Sequence, residues 1–337
     1  MTLRVGIMGF GRLGRSIFRI LHGRDDIDVV AISDIADHEN LAYLLSYDTI
    51  LGRFPHKVSI ANDQLFARGK ATTMLYGKEP GDVDWREHNV DIVIEATRKH
   101  MSYATLSKHI DAGAKRLILC VAPTDKADIT VVMGVNEDQL GAEHKIISNA
   151  SITAHCATPI AKVIDQAFGI ERLHVTSVHA YTNDQSLSDV PSYEMRRSRA
   201  ASENIIPSQT STAHILMDVL PQLEGKVSAM TLNVPVINGS LLDMVAHTKQ
   251  PITAESINAA VESAAESDFK DLIEYVDDPI VSSDVKQSPH SSVFDSLATS
   301  TMGDNLVKMI AWYDNGWGYA HRVVEVMEHL EQKGLTT

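Results

Sequence analysis

Along the first 150 residues, short apolar runs alternate with amphipathic ones. LRVGI (Leu3–Ile7) predicts a strand. RLGRSIFRILHG after it predicts a helix, with Leu13, Ile17, Ile20 and Leu21 at helical spacing and Gly23 as the stop. IDVVAISD (Ile27–Asp34) predicts a second strand. DIVIEAT (Asp91–Thr97) and KRLILCVAP (Lys115–Pro123) predict two more, separated by the helical stretch MSYATLSKHIDAG. Strands nearly continuous in apolar residues and alternating with helices predict a parallel sheet covered on both faces. From about Ser151 the pattern changes: a helix over roughly Thr153–Phe168, then longer strands, LHVTSVHAY and VSAMTLNVPVI. Between those strands runs a long polar segment, TNDQSLSDVPSYEMRRSRAASENIIPSQT, of a length that predicts a functional loop or a segment buried in an oligomer interface. Val323, Val326, Met327 and Leu330 share one face of a closing helix that is expected to pack back on the first domain.

One motif in the first domain carries chemistry. GFGRLG (Gly9–Gly14) is G-x-G-x-x-G; it follows a predicted strand and opens a predicted helix, and Asp34 stands 20 residues past Gly14 at the end of the next strand. That context predicts a Rossmann-type dinucleotide site. Gly9 allows the tight turn, Gly11 lets the backbone approach a pyrophosphate, and Gly14 lets helix and strand pack closely. Phe10, Arg12 and Leu13 complete the loop and the helix N-terminus that face the phosphates. Asp34 is expected to accept from the adenosine ribose and to repel a 2′-phosphate, which selects NAD over NADP. Arg98, after a strand expected near the adenine, offers a cation that would stack on the base or tolerate that phosphate; a solvated arginine is the plainer account.

Composition narrows the picture. A chain of 337 residues exceeds one ordinary core and predicts two domains. A formal net charge of −14 repels phosphate backbones and argues against nucleic acid, while leaving room for a local basic pocket for one small phosphorylated ligand. Two cysteines, Cys120 and Cys156, make no disulfide framework and fit a reducing compartment. With no signal peptide read at MTLRVGIMGFG and no apolar run of membrane-spanning length, a cytoplasmic protein without a membrane partner is expected. The 15 histidines show no HExxH or Cys/His spacing, so no metal is expected.

The blocks VGIMGFGRLGR, MGVNED, KIISNAS, SVHAYT, RRSRAASENIIP, VSSD, HSSVFD and AWYDNGWGYAHRVVE occur in this order. In them the chain resembles, over nearly its whole length, the phosphorylating glyceraldehyde-3-phosphate dehydrogenase family; HAYTNDQ and RRSRAAS resemble its erythrose-4-phosphate dehydrogenase branch. The resemblance implies an α/β fold: a Rossmann-type parallel-sheet NAD-binding domain over 1–151 and an α+β catalytic domain with a mixed or antiparallel sheet over 152–316. Residues 317–337 form the returning helix. It also implies a homotetramer, the polar segment forming a loop near a neighbouring subunit's cofactor. Among cofactor contacts it adds Thr97, Asn315 for the nicotinamide carboxamide, and Tyr319. It assigns His179 as the catalytic base. It places Ser151, Thr153, Thr182, Thr210, Ser211 and Asn233 in two anion pockets.

The same resemblance exposes departures. Family chemistry needs a thiolate at a helix N-terminus, which attacks an aldehyde before hydride leaves to the nicotinamide and phosphate cleaves the thioester. The family pattern S-N-A-S-C-T-T-N-C is here SNASITAHC, so the nucleophile position is Ile152, and Ala154 and His155 replace Thr and Asn. Cys156 lies one turn further in, about 6 Å along the axis, where a small buried residue is the plainer reading. Asn233 takes the place of the family's phosphate-binding Arg, Met8 that of an Asn, and Gly316 that of an acid. Arg196, Arg197 and Arg199 are read first as interface pairs. Three readings follow. In one, the protein is a redox enzyme without thioester chemistry, His179 moving a proton during direct hydride transfer on an aldehyde, hydrate or alcohol. In the next, it is a catalytically inactive NAD-binding paralogue with a regulatory role or a place beside an active paralogue in one oligomer. Ordinary phosphorylating activity comes last, because an isoleucine does not add to a carbonyl.

Overall fold

The computed structural model describes residues 2–336, and the chain divides into two compact units. One holds the chain up to Val131, the stretch Asn136–Ala150 and everything from Ala320 onward; the other holds Val132–Val135 and Ser151–Tyr319.

The first unit is built on a nine-stranded sheet. In spatial order its strands are Ile129–Thr130, Ile146–Ser148, Arg116–Leu119, Ile92–Glu95, Leu3–Met8, Ile27–Ser33, Lys70–Leu75, Gln64–Ala67 and Val58–Ala61. The first seven run parallel, and the last two turn back antiparallel. Ile92–Glu95 and Arg116–Leu119 are buried at every position, as strands covered on both faces must be. Helices α1 (Arg12–Leu21), α2 (His38–Ser46) and α3 (Tyr103–Asp111) follow strands of this sheet. A core of Met8, Val83, Trp85, Val93, Leu106 and Leu117, with their neighbours, lies at its centre. The last helix, Trp317–Gln332, contributes Val323, Val326, Met327 and Leu330, all fully buried.

The second unit begins with α4 (Ile152–Phe168), whose N-cap Ser151 accepts a hydrogen bond from the Ala154 N–H. It packs on a seven-stranded mixed sheet in the order Ile206–Ser208, Val227–Val234, Ile170–Ala180, Ser240–Thr248, Leu306–Tyr313, Ser292–Met302, Ile273–Val276. α5 (Thr212–Val219) and α6 (Ala254–Glu266) pack beside α4. The strand read from VSAMTLNVPVI stops at Val234, because Pro235 has no N–H for the ladder. The long polar segment is not irregular throughout: Ile206–Ser208 pairs antiparallel with Val227–Val234, supplying the sheet's edge.

Candidate active site

The nucleotide end lies in the first unit. Gly9 leaves the strand Leu3–Met8 with φ +92°, a conformation that disfavours any side chain. A Cβ on Gly14 would sit 2.2 Å from the Gly9 carbonyl oxygen, so helix and turn touch there backbone to backbone. Gly11 differs: an added Cβ would meet nothing within 4 Å. That open space over exposed backbone is what a pyrophosphate needs in order to approach. No side chain caps α1 and no acid stands in its first turn, so the positive end of its dipole, at Arg12 and Leu13, favours an anion.

The Phe10 ring is core, edge-on to Phe18 at 5.6 Å, and its N–H donates to Asp34 Oδ2 at 2.6 Å. Asp34 Oδ1 accepts the Ala36 N–H at 2.9 Å. Asp34 therefore ties the glycine turn to the end of the second strand, and each oxygen keeps a further lone pair for a ribose hydroxyl. Thr97 donates its N–H to Glu95 Oε1 at 2.8 Å. Arg98 follows, exposed and at φ +59°.

A second cluster, in the second unit, surrounds His179. Its Nδ1 lies 2.6 Å from the Ala180 carbonyl, which only accepts; that nitrogen therefore bears the hydrogen in the neutral ring. Nε2 is then the basic nitrogen, and the Asn315 amide nitrogen donates to it at 3.3 Å. Asn315 is held in turn: its side chain bonds the Ser240 hydroxyl, and its N–H donates to Asn238 Oδ1 at 3.0 Å. The parallel register sets His179 directly beside Asn233, whose amide donates to Ser208 Oγ at 3.0 Å.

The first turn of α4 reaches the same neighbourhood. Thr153 Oγ1 is 3.2 Å from the Tyr313 hydroxyl, and the Tyr313 ring stands edge-on to the His179 ring at 6.1 Å. Burial pushes the Tyr313 phenol up to about 12, so it stays a neutral partner. Ile152 is half-buried at the first helical position, and Tyr319 is buried, edge-on to His155 at 5.6 Å. Thr182 instead donates its hydroxyl to Asp184, which is paired with Arg197. Thr210 bonds within its own turn, to Thr212 Oγ1 at 2.8 Å, and Ser211 is the exposed N-cap of α5.

Neither thiol resembles a nucleophile. Cys156 is fully buried, its Sγ 3.5 Å from Ser292 Oγ, and burial pushes it up to about 12. Cys120 is buried as well and shifted upward by the same cause. Among the described residues no group of three or more His, Cys, Asp or Glu side chains is placed to hold a metal ion. No helix among them is long and apolar enough to cross a membrane.

Sequence reasoning overlooked Tyr313, Ser240, Asn238 and Asp184, which orient or neutralise the residues it named. Asp184 and Tyr313 sit inside the quoted blocks HAYTNDQ and AWYDN, a usable signal; Ser240 and Asn238 carry none.

Two family profiles match. "Glyceraldehyde 3-phosphate dehydrogenase, NAD binding domain" matches residues 3–102, and "Glyceraldehyde 3-phosphate dehydrogenase, C-terminal domain" matches residues 151–315. The chain is similar to glyceraldehyde-3-phosphate dehydrogenase 2 of Bacillus subtilis, 47% identical over 331 residues, covering 98% of this chain and 97% of that one. It is 46% identical over 328 residues to glyceraldehyde-3-phosphate dehydrogenase 2 of Streptomyces avermitilis, covering 97% and 98%. With glyceraldehyde-3-phosphate dehydrogenase of Geobacillus stearothermophilus it shares 43% over 336 residues, 99% of this chain and all of the other.

Proposed function

The chain belongs to the glyceraldehyde-3-phosphate dehydrogenase family, with NAD as cofactor, and from that premise we propose an oxidoreductase that transfers hydride directly, without a thioester. The observation that carries the reading is a base without a nucleophile: His179 presents Nε2 as its basic nitrogen, while the first position of α4 holds Ile152 and the nearest thiol, Cys156, is buried and protonated. When bound, the nicotinamide ring accepts or returns the hydride. His179 Nε2 takes the proton of an alcohol or aldehyde hydrate, or its conjugate acid returns one to a carbonyl oxygen. The Ala180 carbonyl holds the ring in that tautomer, and Asn315, braced by Ser240 and Asn238, fixes the carboxamide side. Ile152 walls the pocket and excludes water from the reacting carbon.

The substrate is small and less charged than a sugar phosphate. Asn233 and Ser208 offer neutral hydrogen bonds beside His179, and the Arg197 guanidinium is already paired with Asp184. We propose a functional boundary close to 151/152, the returning helix belonging with the nucleotide domain from Ala320 onward. We further propose a homotetramer, as the family resemblance implies, in the cytoplasm; the polar segment exposes Leu187 (79%), Tyr193 (104%) and Met195 (88%), apolar surface suited to a subunit contact. Light scattering tests the tetramer, and a pull-down with the host's active dehydrogenase tests co-assembly with a paralogue.

The deciding assay follows NADH absorbance with NAD, glyceraldehyde 3-phosphate or erythrose 4-phosphate, with and without phosphate, beside a panel of uncharged aldehydes, alcohols and ketones. Turnover on the uncharged panel and none that depends on phosphate is the expected result. Phosphate-dependent NADH formation by the wild type overturns it. Tight NADH binding with silence on the whole panel overturns it in favour of a non-catalytic, regulatory NAD-binding protein.

A further inference from the structure

We propose that Trp85, Glu95 and His109 form a buried relay that holds Thr97, and through it the Gly9 turn, in the geometry that binds the NAD pyrophosphate, with His109 as the positioning residue. The inference rests on the nucleotide end alone and is independent of which substrate is oxidised.

All three side chains are fully buried. They come from separate stretches: Trp85 precedes the strand Ile92–Glu95, Glu95 ends it, and His109 lies on α3. An indole N–H only donates, so His109 Nδ1, 3.1 Å from Trp85 Nε1, accepts. The ring's hydrogen is therefore on Nε2, which donates to Glu95 Oε2 at 3.3 Å. The indole thus selects one tautomer; a proton on Nδ1 would set two N–H groups against each other. Glu95 Oε1 takes both polar hydrogens of Thr97, the N–H at 2.8 Å and the hydroxyl. The Thr97 hydroxyl in turn accepts the Lys99 N–H at 3.1 Å.

Thr97 is the wall against which the glycine turn is formed. A Cβ on Gly9 would lie 2.8 Å from Thr97 N and 2.9 Å from its Cγ2, and on the other side the Gly9 N–H is held by the Ser33 carbonyl at 2.8 Å. With no slack between them, a shift of Thr97 passes into the turn. An apolar residue at position 95 would fill this core without the desolvation cost of a buried carboxyl. What the acid adds is direction: its lone pairs fix where Thr97 sits.

The test uses the full chain and calorimetric binding of NAD, ADP and adenosine, with hydrogen exchange read by mass spectrometry. His109→Phe removes both ring nitrogens. It is expected to weaken NAD and ADP about tenfold, leave adenosine within about twofold, and speed exchange in residues 8–14 and 96–100. His109→Gln supplies an acceptor for the indole and a donor for Glu95, and is expected to restore NAD binding to within about threefold of wild type. Adenosine weakened in parallel with NAD, exchange quickened evenly across the sheet, or a Gln variant as weak as the Phe variant overturns the proposal. Should His109→Phe fail to fold, Trp85→Phe removes the indole N–H that selects the tautomer, together with part of a buried ring: NAD weakened about threefold or more with adenosine unchanged supports the relay, and unchanged NAD binding, or adenosine weakened in parallel, overturns it.

Discussion

Replacing Gly11 by alanine separates binding from folding. The added Cβ meets no atom within 4 Å, and Gly11 already sits at φ −70°, where any residue is at ease. The unfolded chain loses freedom, which favours the folded state by about 0.4–1 kcal/mol, while alanine is the poorer N-cap by a similar amount. Stability should therefore stay within about 0.5 kcal/mol of wild type. The pyrophosphate, however, must come to the exposed backbone through the space the methyl now fills, and NAD affinity should fall at least tenfold, about 1.4 kcal/mol. Gly14→Ala is the contrast: its Cβ would press on the Gly9 carbonyl oxygen at 2.2 Å, a backbone atom with nowhere to go. It should cost about 1–3 kcal/mol of stability and lower the melting temperature by roughly 2–4 °C per kcal/mol. Thermal unfolding and calorimetric titration of NAD on the two variants give both quantities. The reasoning fails if Gly11→Ala binds NAD as tightly as wild type, or if it melts as low as Gly14→Ala.

The remaining expectations concern the thiols, the base and acid stability. Native protein at pH 8 should leave both cysteines unmodified by iodoacetamide and expose both after denaturation; one fast native thiol would contradict the buried, protonated Cys156. Ile152→Cys should create such a thiol, because the helix N-terminus favours a thiolate, and its alkylation rate should exceed that of Cys156 by about tenfold or more. His179→Gln should reduce any hydride transfer by about a hundredfold or more while leaving NAD affinity within about threefold; equal losses in both would demote His179 to a binding role. Burial, with His56, Lys70 and Arg68 nearby, pushes the His22 imidazole from 6.5 down to about 4. The folded state then binds fewer protons than the unfolded one between those values, so stability is lost as pH falls from about 6.5 to about 4, by about 3 kcal/mol in all, and no further below. His22→Phe, which keeps the stack on Phe18, should flatten that limb of a pH-dependent melting curve; an unchanged slope would remove His22 as its source.

Local pattern was enough for the nucleotide half of the fold. Apolar runs with amphipathic stretches between them are buried strands and covering helices, and G-x-G-x-x-G places three glycines where backbone geometry needs them, so one dimension sufficed. It was enough, too, for the helix read from about Thr153, which begins at Ile152, since a cap and a first turn are local. Less was legible between Asp34 and Asp91, where two-residue strands and a hairpin with alternating burial leave weak periodicity.

What only tertiary structure decided is which groups face each other. Glu95 ends an apolar strand in the sequence, and nothing there announces that His109 and Trp85 will close over it. His179 and Asn233 become neighbours because two strands far apart in the chain run in register, and Tyr313 joins the first turn of α4 to the ring of His179. Arg197 reaches back within the long polar segment to Asp184, which makes it an ion pair and not a free cation. The amino-acid sequence by itself determined the glycine turn, the acid at the end of the second strand and the isoleucine at the helix start. These depend on bonds and periodicities within a few residues. The tautomer of His179, the protonation of Cys156 and the bracing of Thr97 depend on burial and on hydrogen bonds across long separations, and those exist only once the sheets have formed.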